Sequence, residues 1–371
     1  MNTNLGTYSK NDTAKYQQSG FLLDKLGHLD QKSVSTPTNK GKDVLISKAK
    51  KKFFTQELCR NLLKTEDETL HKAYLTTMCN CCKVMEVKDD RVRNAVIENP
   101  DKPHERDEKG NIIKRNQPIS IYCKSRWCLI CNGIKTAHLI NAYLPILKTW
   151  DNPFFVTLTT ELTDRKKARE EIKRKLHLFT LITRKAKRDK HEVKLFRNVE
   201  ATFNQEQNKF HIHIHCVVSN EALAEMILNE WIKRNNKQGF KCVYEAQNIK
   251  RADKNENSLK EIFKYATKMI TKNRKGERVV YLNALNELFI AFRNVRTFQA
   301  YGVNKIIDED KAFEELQADE LTPGLYENDL YTWQCCDWQS VIYDDVLSCY
   351  EPDQNMIKII NSFVLNEIDT S

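Results

Sequence analysis

Nine consecutive residues, Phe210 to Val218 (FHIHIHCVV), constrain this chain more than any other stretch. They are predicted to form a strand, in which successive side chains alternate between faces. Phe210, Ile212, Ile214, Cys216 and Val218 then make one apolar side, and His211, His213 and His215 point together to the other. Three of the nine histidines of the chain thus share one side of one strand, and packing explains that poorly. Imidazoles two residues apart can converge on one divalent ion, and a carboxylate from a neighbouring strand would add an oxygen ligand. If residues 193–218 fold as a hairpin with Asn204 opposite Lys209, Glu200 lies opposite His213 on the same face. A slip of one residue would turn Glu200 to the other side; the alternative is a surface glutamate pairing with a lysine.

The segments around this strand predict an α+β fold: a mainly antiparallel sheet with helices on one face. Asn152 to Thr160 (NPFFVTLTT) is rich in β-branched and aromatic residues and reads as a strand, followed by a long basic amphipathic helix from about Asp164 to Asp189. Strands are expected at Lys194–Phe203 and Phe240–Asn248. Helices are expected at Ser47–Leu75, Ile134–Leu147, Glu221–Arg234 and Ser258–Lys272, with one or two more in Val279–Phe298. Four regions follow: a disordered lead-in over 1–45, a helical and cysteine-rich module over 46–150, the sheet domain over 151–305 and an acidic tail over 306–371.

Charge separates these regions. The formal net of +10 hides 16 Asp and Glu against 2 Lys from Ile306 onward, a net of −14, which leaves 58 basic and 34 acidic residues before it, a net of +24. A body of that sign attracts a polyanion, most commonly nucleic acid, by counterion release. For the tail, three roles stand open: mimicking DNA, restraining nonspecific binding, or docking a partner. No apolar run reaches the ~18 residues of a membrane span, and Met1–Lys10 lacks the apolar stretch of a signal peptide, so a cytoplasmic location is expected. None of the ten glycines falls in a phosphate-cradling loop or a dinucleotide fingerprint, which speaks against an ATPase and a Rossmann enzyme.

Two further clusters carry chemistry. Cys79 and Cys82, with Cys128 and Cys131, form two C-x-x-C units that would make a four-thiolate structural zinc site with a long insert. Cys123 or Cys81 can replace one member of that set. Further on, Glu261, Tyr265 and Lys268 follow i, i+4, i+7 spacing and share one face of the expected helix, while Ile262, Phe263, Ala266, Met269 and Ile270 lie mostly on another.

In this order the motifs resemble the HUH endonucleases, and more closely the plasmid rolling-circle replication initiators named after the Rep proteins of small staphylococcal plasmids. Phe155–Thr159 (FVTLT) is similar to the family's first strand motif, and Val199–Thr202 (VEAT) to its glutamate strand. His213-Ile214-His215 resembles its metal-binding pair, Glu261–Lys268 (EIFKYATK) its catalytic helix, and Tyr122–Cys131 (YCKSRWCLIC) its cysteine segment. The resemblance covers about residues 58–303; Leu129 stands where the family often has Pro, and the acidic tail lies outside it.

The resemblance implies an HUH-type sheet and metal-dependent, site-specific nicking and joining of single-stranded DNA at an origin. Tyr265 would be the nucleophile, leaving a 5′-phosphotyrosine and a free 3′-OH. Mn²⁺ or Mg²⁺ held by His213, His215 and Glu200 would polarise the scissile phosphate; Lys268 would lower the tyrosine pKa or hold a phosphate; Glu261 would serve as base in a second step. Origin DNA, a host helicase and a DNA polymerase are the implied partners. Two other readings fit parts of the chain. His211–Val218 also matches the pattern of histidine-triad nucleotide hydrolases and transferases, and the cysteines with the basic body fit a non-enzymatic zinc-containing nucleic-acid-binding protein.

Overall fold

In the computed structural model the described residues are 39–64, 72–89, 116–120, 122–263, 269–273, 275–303, 330–341 and 345–364. They fall into two units. Met1–Leu63, Asp67–Cys131 and Phe313–Asn361 build the first, and Lys64–Glu66, Asn132–Ala312 and Ser362–Ser371 the second.

The first unit begins with helix α1 (Asn39–Leu62), which buries Leu45, Ala49, Phe53, Phe54, Leu58 and Leu62. Helix α2 (Lys72–Cys79) then leads into strand β1 (Val84–Asp89), which pairs antiparallel with β2 (Asn116–Ser120). The other edge of β1 is taken by residues from far along the chain, where β11 (Leu330–Gln334) and β12 (Asp337–Ser340) complete a sheet of order β12-β11-β1-β2. Their tryptophans anchor them: Trp338 is fully buried and donates Nε1 to the Cys82 carbonyl at 2.7 Å, and Trp333 donates Nε1 to Gln56 at 2.6 Å. Asp337 is buried beneath the hairpin. Its carboxylate accepts from the backbone N–H groups of Trp338, Ser348 and Tyr350 and from the Ser348 hydroxyl. Burial still holds its pKa above the usual carboxylate value against those hydrogen bonds. Helix α8 (Gln354–Asn361) closes the unit, capped where the Met356 N–H meets the Asp353 carboxylate at 2.7 Å.

Helix α3 (Leu129–Lys148) carries the chain into the second unit. There β3 (Phe154–Thr159), β4 (Thr163–Asp164), β5 (Leu195–Asn204), β6 (Lys209–Val218), β7 (Asn248–Arg251) and β10 (Phe298–Tyr301) form one antiparallel sheet of order β10-β5-β6-β3-β7, with β4 on β6. Helix α4 (Ala168–Arg188) and helix α5 (Glu221–Lys237) pack together against the face formed by Phe210, Ile212, Ile214, Cys216 and Val218, burying Ile172, Leu178, Phe179, Leu223, Ile227 and Trp231. On the other face, α3 and helix α6 (Glu256–Phe263) cover one end through Leu139, Ile140, Tyr143, Leu259, Ile262 and Phe263 on Phe155, Phe196 and Val217. The histidines of β6 occupy the same face beyond that cover. A small sheet of β8 (Thr271–Lys272), β9 (Arg278–Tyr281) and β13 (Phe363–Val364) and helix α7 (Leu282–Ala291) complete the unit.

The α+β architecture and the antiparallel sheet agree with the sequence reading, but helices lie on both faces of the sheet rather than one, since α3 and α6 cover part of the histidine face, and several elements differ. The expected helix over Ser47–Leu75 is α1 and α2, and α1 already starts within the expected lead-in. Of the expected strand Phe240–Asn248 only Asn248 is extended, as the start of β7; Phe240–Gln247 is a loop with one 3₁₀ turn at Tyr244–Ala246, because side-chain amides take the ladder's place. Asn236 exchanges both bonds with the Cys242 backbone at 2.9 and 3.0 Å, and Gln247 does so with Thr159 at 2.8 and 3.2 Å. Within Val279–Phe298 only α7 is helical, since the β-branched and aromatic run at Val279–Tyr281 pairs as β9. The stretch from Ile306, expected as an acidic tail, supplies β11, β12, α8 and β13 in its described part.

Candidate metal centre

The loop of the β5–β6 hairpin is even-numbered, so Asn204 pairs with Lys209 and Glu200 with His213. That register sets Glu200 among the imidazoles. Its Oε2 lies 3.4 Å from His213 Nε2 and 3.3 Å from His215 Nε2. One ligand atom from each residue falls within 4.8 Å of the others. Two donors bound about 2.1 Å from one cation at tetrahedral or octahedral angles stand roughly 3.0 to 3.5 Å apart, so the spacing fits a single ion. Two imidazoles and a carboxylate make a borderline donor set suited to divalent transition ions. His213 Nδ1 is buried without a hydrogen-bond partner, so the polar contacts of that ring lie on the side of Glu200. Burial raises the Glu200 pKa, but hydrogen bonds and charge from His213 and His215 outweigh it and bring it down to about 2, so the carboxylate is ionised and ready to bind a cation.

Two threonines on β3 hold the rings from behind. Thr157 Oγ1 meets His215 Nδ1 at 3.1 Å, which leaves Nε2 free toward Glu200; Thr159 Oγ1 meets His211 Nε2 at 2.5 Å. His211 therefore stands outside the three-residue group, and burial, with the nearby His213 and Lys175 charges, lowers its pKa to about 4. Beside it a cavity of about 410 Å³ opens between Thr159–Leu162, Thr202–Asn204 and Ala246. From the opposite face the fully buried Lys175 donates to the carbonyl of Ile212, between His211 and His213, where the chain from Thr159 to Thr163 bulges away from β6. Thr157, Thr159 and Lys175 were not singled out in the sequence. The alternation of Thr157 and Thr159 opposite the histidines was the available signal for two of them.

Of the remaining expected catalytic residues, Glu261 lies in the last turn of α6, and its side chain, like Tyr265 and Lys268, falls outside the described residues.

In the first unit four thiols converge: Cys81, Cys123, Cys128 and Cys131. Cys81 and Cys123 Sγ lie 3.5 and 3.6 Å from Cys131 Sγ, close to the ~3.8 Å edge of a tetrahedron with 2.3 Å zinc–sulfur bonds. The expected pair Cys79 and Cys82 gives way to Cys81. After α2 the chain turns tightly, with Cys82 at φ +53°, and that turn swings the Cys81 thiol inward; Cys82 Sγ stays 4.0 Å from Cys81, and Cys79 contributes its carbonyl to Lys52. The N–H groups of Cys123 and Ser125 point at Cys81 and Cys123 sulfur at 3.5 and 3.4 Å, as in thiolate knuckles. Hydrogen bonding from Cys123 lowers the Cys81 pKa to about 5, while Cys131, facing the same thiols, is raised, so the four cannot all ionise without a cation between them. Lys52, 1% exposed and reaching the Cys79 carbonyl at 2.6 Å, lies next to this cluster; burial lowers its pKa against the opposing pull of the nearby thiols.

Fold and sites together define an α+β protein with two cation-compatible groups, a Glu–His–His face on an antiparallel sheet and a four-cysteine knuckle. The chain belongs to the replication protein family, which it matches over residues 114–338, more than half its length. The match begins after the first cysteine cluster, inside the limit at 58 expected from the motifs, and runs through β11 into β12, beyond the expected limit at 303. No curated protein and no solved structure matches the chain. Among the described residues no helix is long and apolar enough to cross a membrane.

Proposed function

We propose that this replication protein is a plasmid rolling-circle initiator of the HUH type that nicks and rejoins one DNA strand at an origin. The observation that carries the reading is the group of Glu200, His213 and His215, with a carboxylate oxygen 3.3 and 3.4 Å from two imidazole nitrogens on one sheet face, in a chain of that family. A divalent cation there, Mn²⁺ or Mg²⁺, would polarise the scissile phosphate and offset its developing charge. Thr157 orients the His215 ring with Nε2 toward Glu200, and Glu200 stays ionised so that the group keeps its affinity for a cation. Tyr265 attacks the phosphorus, its phenolic proton leaves and the bond to the 3′ oxygen breaks, giving a 5′-phosphotyrosine and a free 3′-OH; the later attack of a 3′-OH reverses the exchange. Lys268 assists the tyrosine or grips a phosphate, and Glu261 is the base of the second step. The thiolate knuckle binds structural Zn²⁺. Strand separation and extension fall to a host helicase and polymerase.

The test is incubation with Mn²⁺ and single-stranded oligonucleotides from the cognate replicon, followed by mass spectrometry of tryptic peptides. A nucleotide adduct on Tyr265, absent in Tyr265→Phe, is expected; no adduct on any origin-derived strand overturns the reading.

A further inference from the structure

Helix α4 carries an arrangement that the histidine face does not use. Several of its basic residues are engaged within the fold. Arg174 holds both oxygens of Glu171 at 2.7 Å, Lys175 meets Ile212, and Arg169 donates to the carbonyls of Ile290, Ala291 and Arg293 at 3.1, 3.2 and 2.9 Å. The opposite side is different. Lys173, His177, Arg184 and Arg188 recur at four, seven and four residues, so they line up along the helix, with Lys187 beside them. All five are exposed, and the four Lys and Arg have no hydrogen-bonding or ionic partner among the described residues. The exposed acid in this row is Glu170; Asp189, just past the helix, is held by Lys185.

From Lys173 to Arg188 the row spans about 22 Å at 1.5 Å per residue. A DNA strand presents a phosphate every 3.4 Å of duplex axis, roughly six over that distance. Cations that diverge along a line suit a linear polyanion, whereas a small anion needs donors that converge. An anionic membrane surface is a poorer fit, because the apolar side of α4, with Ile172, Leu178, Phe179 and Ile182, is buried against the sheet and leaves nothing to insert. Seated that way, α4 meets the phosphate backbone and has no free side to lower into a groove.

We propose that the solvent face of α4 is a docking track for duplex DNA that grips the backbone independently of sequence. It lies on the face of the sheet opposite Glu200, His213 and His215. The inference rests on the reading of this chain as an initiator acting on DNA, and adds that duplex and reacting single strand are held on opposite faces of one sheet.

The test uses the full chain with Lys173→Gln, Arg184→Gln and Lys187→Gln combined. All three side chains are exposed and unpartnered, so the fold is expected to persist, checked by an unchanged thermal midpoint. Affinity for an origin duplex and for an unrelated duplex of equal length is measured against salt, without added divalent ion. Loss of three phosphate contacts lowers the slope of log K against log salt by about 2.7 and weakens binding at 0.1 M salt by roughly 500-fold for both duplexes, while nicking of a short single-stranded oligonucleotide is unchanged. An unchanged slope and affinity overturns the proposal, as does lost binding to phosphatidylglycerol vesicles with duplex binding intact. Wild-type protein that binds duplex through this row yet forms no tyrosine adduct would refute the nicking reading and leave the track standing.

Discussion

Lys175 offers a measurable consequence of how the histidine strand is supported. Its side chain is fully buried, donates to the Ile212 carbonyl and lies 3.6 Å from Glu171, whose carboxylate is already engaged by Arg174. Burial lowers its pKa from 10.5 to about 8 against the opposing pull of Glu171. The unfolded chain therefore keeps this proton to higher pH than the folded one, and stability rises with pH across the window from about 8 to 10.5. The whole window is worth roughly 3 kcal/mol, and about 2 kcal/mol of it is gained between about pH 7 and about pH 9.5. Lys175→Met removes this titration and leaves the other groups in place. Urea unfolding followed by tryptophan fluorescence at the two pH values gives the stability change of each protein. The wild type is expected to gain about 2 kcal/mol more than the variant on going to the higher pH. Equal changes in both proteins, or a larger gain in the variant, would refute the assignment of a strained, protonated lysine beneath β6.

Cys81→Ser is expected to abolish stoichiometric zinc, read by atomic emission on protein purified with zinc, whereas Cys79→Ser keeps it. Glu200→Gln removes the ionised ligand, and Mn²⁺ affinity measured by calorimetry is expected to fall by more than the roughly 10-fold to 100-fold typical of losing a ligand's outer hydrogen-bond partner; an unchanged affinity would place the ion elsewhere. Trp338→Ala empties a fully buried site and breaks the bond to the Cys82 carbonyl, with an expected loss of about 3 to 5 kcal/mol in denaturant unfolding and faster zinc release to a chelator. Because β11, β12 and α8 lie beyond residue 330, the role of the acidic stretch is best tested by neutralising Asp308, Glu309, Asp310, Glu314 and Glu315 together: tighter duplex binding at low salt is expected if these acids restrain it, and unchanged binding excludes that role.

The hairpin of β5 and β6 was legible because two simple rules agree on it. Strict alternation in Phe210–Val218 sets the faces, and an even-numbered loop sets the register, which together carry Glu200 to the histidines. The thiolate set was less legible. Cys79, Cys81 and Cys82 are separated only by the direction of a turn with a residue at positive φ, and spacing alone is blind to that. The loop over Phe240–Gln247 looked like a strand because Phe240, Val243 and Tyr244 are aromatic or β-branched, yet only Cys242 among its apolar residues is buried, and Asn236 and Gln247 supply the bonds a neighbouring strand would have made. Counting charge from Ile306 onward concealed the alternation of Tyr331, Trp333 and Trp338, whose burial outweighs the acids around them. Lys175 left no trace in the sequence, since in a helix full of lysines only the packing shows which one is turned inward.

The pairing of β1 with β11 has a consequence for how the chain is made. The first unit draws its strands from segments far apart in the chain, so Cys131 and Trp338 are separated by the large sheet of the second unit. At roughly 5 to 20 residues per second, a ribosome that has released the knuckle cysteines takes about 10 to 40 s more to deliver the hairpin that covers Cys82. During that interval the inner unit, with its sheet already contiguous in sequence, folds first, and the thiols stay open to solvent and to whatever metal the cell supplies. A chain halted before residue 330 would carry a complete histidine face and an unfinished knuckle.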